Sequence, residues 1–145
     1  MNETEEMPLK NYKMPLEEKQ IYILDDDESV LRSLKLLLNS YGFAVDIFSS
    51  AEEFFNVVPN GSSGCLVLDI NLTGLNGWDT MKKLTKTGYN LPVIVITADK
   101  DDHYKERALK AGAVGFLQKP FEDHHLLHMV NRAFNKTGEE NEKSK

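Results

Sequence analysis

The chain has 145 residues, a single cysteine and a formal net charge of -6 at pH 7. This length suits one compact domain with short tails, and the lone Cys65 excludes an intrachain disulfide. The net charge argues against nonspecific nucleic-acid binding by this chain, because phosphate contacts need clustered lysine and arginine. No apolar stretch approaches the roughly 20 residues of a membrane-spanning helix, and the polar N-terminus lacks the apolar centre of a signal peptide. We therefore expect a cytoplasmic protein that binds neither nucleic acid nor membrane.

The first elements follow a polar N-terminal segment. Residues 1 to 19 carry two prolines and many charges, and we expect them to form a flexible arm. The apolar run "IYIL", residues 21 to 24, predicts a strand that leads directly into three aspartates. A helix is predicted from Ser29 because apolar residues then recur at intervals of three and four. Gly42 is expected to end this helix.

A second strand, a second helix and a third strand follow. The run "FAVDIF", residues 43 to 48, alternates like a strand, and Ser49 or Ser50 is expected to cap a helix over residues 51 to 58. The run "CLVLD", residues 65 to 69, is apolar up to its final aspartate. Such a run predicts a strand buried on both faces, with the cysteine as a buried structural thiol.

The remaining elements continue the alternation of strand and helix. They are a helix over residues 77 to 87, a strand over 91 to 97, a helix over 101 to 111, a strand over 113 to 118 and a helix over 122 to 135. Residues 136 to 145 are polar and are expected to be a disordered tail. Five alternating strands and helices predict a doubly wound α/β domain over residues 20 to 135, with a five-stranded parallel sheet and helices on both faces.

Polar side chains follow the strands at the edge where such folds bind ligands. Asp25 and Asp26 come after the first strand, Asp69 ends the third, Thr97 ends the fourth and Lys119 follows the fifth. Carboxylates held close together favour recruitment of a cation, and Mg²⁺ prefers such oxygen ligands. An aspartate beside Mg²⁺ and a lysine can accept a phosphoryl group as an acyl phosphate.

Four motifs carry a resemblance to a known family. The segments "ILDDDES", "CLVLDINLTGLNG", "VIVITA" and "GFLQKPF" resemble, in order and approximate spacing, the receiver domains of response regulators in two-component signalling. The resemblance covers about residues 20 to 135. It implies a flavodoxin-like (βα)5 fold with strand order 2-1-3-4-5. The sequence looks most like receivers of the FixJ type, which usually precede a helix-turn-helix DNA-binding domain.

The resemblance implies the roles of the residues that carry the chemistry. Asp69 would be the phosphoacceptor, and Lys119 would contact the phosphoryl group. The resemblance also implies Mg²⁺ (or Mn²⁺) as the cofactor, bound by Asp25, Asp26, Asp69 and the backbone carbonyl of Asn71.

Further residues would govern switching and the lifetime of the phosphoryl group. Thr97 would be the switch hydroxyl and Phe116 the switch aromatic. Lys119 would be joined to Pro120 by a cis peptide bond. The residues expected to modulate loss of the phosphoryl group are Asn71, Ala98 and Asp99.

Three positions depart from the family pattern. The loop after Asp69 usually has Met-Pro where this chain has Leu72 and Thr73. Proline would fix the backbone there, so we expect a more mobile loop. The switch aromatic is often tyrosine, and Phe116 has no hydroxyl to donate a hydrogen bond.

The expected function is that of a phosphorylated switch rather than an enzyme that turns over a substrate. A sensor histidine kinase or a histidine phosphotransfer protein would phosphorylate Asp69, and the chain would catalyse its own phosphorylation and dephosphorylation. The face of helix 4, strand 5 and helix 5 would then bind a partner or form a phosphorylation-dependent homodimer. One alternative is a pseudo-receiver that binds partners without phosphorylation. A second is a small Mg²⁺-dependent phosphatase, which normally needs an acid where this chain has Asn71.

Overall fold

The structure, a computed structural model, describes the backbone of residues 19 to 143 and side chains of residues 19 to 135. The expected arm over residues 1 to 19 lies outside the described residues, apart from Lys19. The strands are β1 (Gln20–Leu24), β2 (Ala44–Phe48), β3 (Cys65–Asp69), β4 (Val93–Thr97) and β5 (Gly115–Gln118). The helices are α1 (Glu28–Ser40), α2 (Ala51–Val57), α3 (Gly77–Lys86), α4 (His103–Lys110) and α5 (Asp123–Lys143).

The five strands form one parallel sheet in the order β2-β1-β3-β4-β5. The predicted flavodoxin-like topology and its strand order 2-1-3-4-5 are therefore confirmed. The central strand β3 pairs with β1 on one side, where Ile23 lies opposite Val67, and with β4 on the other, where Asp69 lies opposite Ile96. Parallel pairing brings the carboxyl ends of all five strands to one edge of the sheet.

The core consists of two apolar layers, one on each face of the sheet. Alternate residues of β3 point into opposite layers, Leu66 and Leu68 into one and Cys65 and Val67 into the other. Helices α2, α3 and α4 cover the first layer, and helices α1 and α5 cover the second. Every residue of β3 is buried, as its apolar run predicts.

The first three helices begin at side chains that accept hydrogen bonds from the backbone. Asp27 caps α1 by accepting from the amides of Ser29 and Val30. Of the two serines expected to cap α2, Ser50 does so, and Asn76 caps α3. These caps satisfy backbone donors that the first helical turn leaves without a partner.

Some boundaries differ from those predicted. Helix α5 continues to Lys143 instead of ending at Asn135. Glutamate and lysine are favourable helix formers, and a polar composition does not by itself end a helix. Strand β4 begins at Val93 instead of residue 91, since Pro92 has no N–H to donate. Within residues 19 to 143, no helix is both long and apolar enough to cross a membrane.

Candidate functional site

Three side chains predicted to share the carboxyl edge of the sheet are buried there. Asp25 follows β1 and is fully buried, Asp69 ends β3 and is 4 % exposed, and Thr97 ends β4 and is fully buried. Carboxylates are almost never buried unless they are paired, because removing their charge from water is costly. These two aspartates must therefore have a compensating partner.

Lys119 is that partner. Its Nζ donates to Asp25 Oδ2 over 2.7 Å and to Asp69 Oδ2 over 3.1 Å. The backbone also contributes donors, since the amides of Asp27 and Asn71 donate to Asp25 and Asp69 respectively. One ammonium group thus bridges the carboxylate that follows the first strand and the carboxylate that ends the third, and it leaves their combined charge negative.

Burial and neighbouring charges shift the pKa values of Asp25 and Lys119. Burial raises the pKa of Asp25, and the hydrogen bond from Lys119 opposes this effect. Burial alone would lower the pKa of Lys119, but its hydrogen bond to Asp25 and the negative charge of Asp69 outweigh burial and raise it. Lys119 is therefore charged at neutral pH, and any group that binds here meets a fixed ammonium.

The three acidic residues at this edge form a donor set for a divalent cation. Asp25, Asp26 and Asp69 each offer one carboxylate oxygen, and these oxygens lie within 4.8 Å of one another. Asp26 is exposed, so a bound ion would retain access to water. Hard oxygen ligands with access to water suit Mg²⁺, which keeps several waters when it binds protein carboxylates. The residues present therefore fit the expected cofactor.

Thr97 forms a hydrogen-bonded chain with the loops that flank it. Its Oγ1 donates to Asn71 Oδ1 over 2.8 Å and accepts from the backbone N–H of Asp99 over 3.0 Å. The hydroxyl is thus directed toward the side chain of Asn71, two residues after Asp69. This bond joins the loop after β3 to the end of β4.

Thr73 makes a contact that the sequence did not reveal. Its backbone N–H and its hydroxyl both donate to Asp26 Oδ2, over 3.2 Å and 2.7 Å. The departure from Met-Pro indicates an extra N–H at this position, but no sequence pattern identifies its acceptor. These two bonds tie the loop, which we expected to be more mobile, to Asp26, two residues after the end of β1.

The remaining predicted residues lie around this cluster. Phe116 lies opposite Val95 in the sheet and packs, half-buried, against the layer beneath α2, α3 and α4. Ala98 and Asp99 are exposed in the loop after β4. The peptide bond between Lys119 and Pro120 is cis.

Gly77 allows α3 to begin directly behind Asp69. A Cβ atom at this position would lie 2.5 Å from Ile70 Cα and 2.9 Å from the Asp69 carbonyl oxygen. The Gly77 N–H instead donates to the Ile70 carbonyl over 3.0 Å. The close approach of α3 to the end of β3 therefore requires glycine at residue 77.

The family model for the response regulator receiver domain matches residues 21 to 131. The chain belongs to the response regulator receiver family. Its domain is thus a phosphoacceptor of two-component signalling. Membership of this family does not favour the two alternative hypotheses, a phosphorylation-independent binding module and a small phosphatase.

Relatives of this receiver domain include regulators from several bacteria. It is 42% identical over 113 residues to the response regulator protein TodT of Pseudomonas putida, covering 78% of this chain and 50% of TodT. It is 39% identical over 113 residues to the transcriptional regulatory protein FixJ of Bradyrhizobium diazoefficiens, covering 78% of this chain and 55% of FixJ. The receiver domain therefore spans about half the length of these curated relatives.

Solved structures show the same fold. The response regulator StyR superposes with a TM-score of 0.79 at 35% identity, covering 88% of this chain and 64% of that chain. A response regulator receiver domain protein described as CheY-like, from Methanospirillum hungatei, superposes with a TM-score of 0.78 at 27% identity, covering 85% of this chain and 98% of that chain.

Proposed function

We propose that Asp69 is the phosphoacceptor of this receiver domain, with a phosphohistidine of a sensor histidine kinase or a histidine phosphotransfer protein as donor. The observation that carries the proposal is the position of Lys119, whose ammonium contacts both Asp25 and Asp69 at the edge where Thr97 is also buried. A nucleophilic carboxylate, a fixed cation and a hydroxyl donor are thus available around one phosphoryl group.

In the reaction, a carboxylate oxygen of Asp69 forms a bond to phosphorus while the bond between phosphorus and the donor imidazole nitrogen breaks. The imidazole leaves with the electron pair of that bond. The Lys119 ammonium offsets negative charge on the transferring oxygens, and Thr97 donates a hydrogen bond to one of them once it leaves Asn71. Mg²⁺ (or Mn²⁺), held by Asp25, Asp26, Asp69 and the Asn71 carbonyl, would neutralise further charge on those oxygens.

The same site would catalyse loss of the phosphoryl group. Water attacks phosphorus, and the bond to Asp69 breaks to release inorganic phosphate and the free carboxylate. We assign Asn71, Ala98 and Asp99 as the residues that flank the path of this water and so modulate loss of the phosphoryl group.

Phosphorylation would change the face formed by α4, β5 and α5. The phosphoryl group draws Thr97 and the following loop toward it, and Phe116 turns into the space that is vacated. Such a local change of charge biases a two-state element. The altered face would then bind a partner or a second phosphorylated copy of this chain.

The donor protein has a surface available beside the site. An apolar recess of about 490 Å³ adjoins Lys119 and is lined by residues of α1 and of the segment after β5, including Val30, Leu34 and Phe121. A helix that carries a phosphohistidine could bury apolar side chains in this recess while its imidazole faces Asp69.

Intact mass spectrometry tests the proposal. The protein is incubated with Mg²⁺ and acetyl phosphate, alongside Asp69→Asn and the matched surface variant Asp46→Asn. We expect one added phosphoryl group in the wild type and in Asp46→Asn, and none in Asp69→Asn or with EDTA. An adduct on Asp69→Asn would contradict the proposal. So would the absence of any adduct together with the absence of a beryllofluoride complex in Mg²⁺.

A further inference from the structure

We propose that Thr73 is a positioning residue of the cation site, which orients Asp26 so that one carboxylate oxygen faces the ion. The inference rests on the proposed function, which assigns Asp26 as a ligand of Mg²⁺. Thr73 does not bind the ion itself. It acts through Asp26, whose side chain would otherwise be an exposed group with freely rotating χ angles.

One carboxylate oxygen of Asp26 accepts hydrogen bonds from Thr73, and the other does not. The Thr73 N–H and hydroxyl both donate to Oδ2, over 3.2 Å and 2.7 Å. No described residue donates to Oδ1 of Asp26, so this oxygen is available to a cation. Two donors from one residue fix the carboxylate plane more firmly than one, because both the backbone and the side chain must move before the carboxylate turns.

The same loop also orients the other ligands of the proposed site. The Asn71 N–H donates to Asp69 Oδ1 over 2.9 Å, which sets the path of the backbone two residues before Thr73. Thr73 then joins this loop to Asp26, 47 residues away in sequence. Asp26 and the carbonyl of Asn71 are thus held by one short segment. Outer hydrogen-bond partners of this kind typically change metal affinity when they are removed.

Only some residues can make this contact. The proline usual in the family at this position has neither an N–H nor a hydroxyl. Threonine supplies both, and Gly74, with a positive φ of 78°, lets the chain turn immediately after it. Valine has nearly the same shape as threonine and keeps the N–H, so Thr73→Val removes the hydroxyl alone. Serine keeps both donors.

Isothermal titration with Mg²⁺ tests the proposal on three variants. We expect Thr73→Val to raise the Kd for Mg²⁺ by about three- to tenfold, since the lost bond is made to a charged but solvent-exposed group. Thr73→Ser should stay within about twofold of the wild type. The matched change Thr85→Val, at an exposed threonine of α3, should leave the Kd unchanged.

The free energy of unfolding in EDTA separates positioning from a purely structural role. A Thr73→Val protein that loses stability in EDTA but keeps the wild-type Kd would overturn the inference. A lower Kd would also overturn it, because the hydroxyl would then compete with the ion. If Asp69 is phosphorylated and the Kd is equal across the Thr73 series, the proposed function stands and this inference fails. If the wild type binds no Mg²⁺, both fail.

Discussion

The Thr97 hydroxyl donates to the Asn71 side-chain oxygen over 2.8 Å, so the donor expected to serve a phosphoryl group already has an acceptor. Thr97 is fully buried, and its Oγ1 also accepts from the Asp99 N–H. A hydroxyl has one proton to donate. Donation to a phosphoryl oxygen therefore requires that the bond to Asn71 breaks, and the strength of that bond sets part of the cost of switching.

Removal of the Asn71 side chain should make the switch easier. A hydrogen bond between neutral groups contributes about 0.5–1.5 kcal/mol net, so Asn71→Ala should bind beryllofluoride about two- to tenfold more tightly in Mg²⁺. The backbone carbonyl of residue 71 is unchanged by this substitution. Isothermal titration gives the affinity. The double variant with Thr97→Ala should show no such gain, and an equal gain in that background would refute the coupling.

The ammonium of Lys119 should stabilise the fold as well as the site. Lys119→Met leaves Asp25 and Asp69 without their cation, and we expect a loss of about 3 kcal/mol in the free energy of unfolding at pH 7 in EDTA. Lys110→Met, which removes an exposed ion pair with Glu106, should change stability little. Urea denaturation measures both, and equal effects would contradict the assignment of a buried bridge.

The loss in Lys119→Met should shrink as the pH is lowered. Burial raises the folded-state pKa of Asp25 above that of the unfolded chain. Lys119→Met removes the hydrogen bond and the charge that lower this pKa, so the folded variant holds the proton more tightly than the folded wild type does. The stability linked to this proton is present at low pH and is lost as pH rises through the folded-state pKa. Urea denaturation at pH 5 and pH 7 should show a smaller difference from wild type at pH 5. A difference that grows with acidification would contradict this sign.

Gly77 should tolerate no side chain. An added Cβ would meet backbone atoms of Ile70 and Asp69, which cannot move without displacing the end of β3. We expect Gly77→Ala to lower the free energy of unfolding by about 2 kcal/mol or more and to slow phosphorylation from acetyl phosphate. Gly61→Ala is the matched control, since a Cβ there has no neighbour within 4 Å. Equal stability of the two variants would show that the helix can shift without cost.

Cys65 should report global unfolding. Its side chain is fully buried at the start of β3, and burial raises the pKa of the thiol to about 12. A thiol reagent should therefore modify the native protein at pH 8 only at the rate of unfolding, because the thiolate is the reactive form. In a Cys65→Ser background, Ser63→Cys places a thiol at an exposed position and should react rapidly. Rapid reaction of native Cys65 would contradict its burial.

The sequence predicted most of the fold because its signals are local. The apolar run before Asp69, the helical spacing after Ser29 and the serine cap before residue 51 each depend on a few neighbouring residues. Parallel topology places the carboxyl ends of all the strands at one edge of the sheet. This topology alone predicted that four side chains lie close together there, those of Asp25, Asp69, Thr97 and Lys119. These inferences needed no knowledge of side-chain conformation.

The bond from Thr73 to Asp26 could not be predicted in the same way. It depends on the path of an irregular loop, on a left-handed turn at Gly74 and on the rotamer of an exposed aspartate. The bond from Thr97 to Asn71 is of the same kind. The end of α5 was missed for a different reason, since composition suggested a tail while the helix propensity of glutamate and lysine favours continuation.

The contact between Lys119 and Asp25 joins residues 94 positions apart. During synthesis from the N-terminus, Asp25, Asp26 and Asp69 all leave the ribosome well before Lys119. A nascent chain that lacks β5 therefore carries Asp25 and Asp69 without the ammonium that bridges them, and their mutual repulsion opposes early collapse of this edge. The acidic edge of the sheet would thus acquire its bridging ammonium only after the fifth strand has been translated.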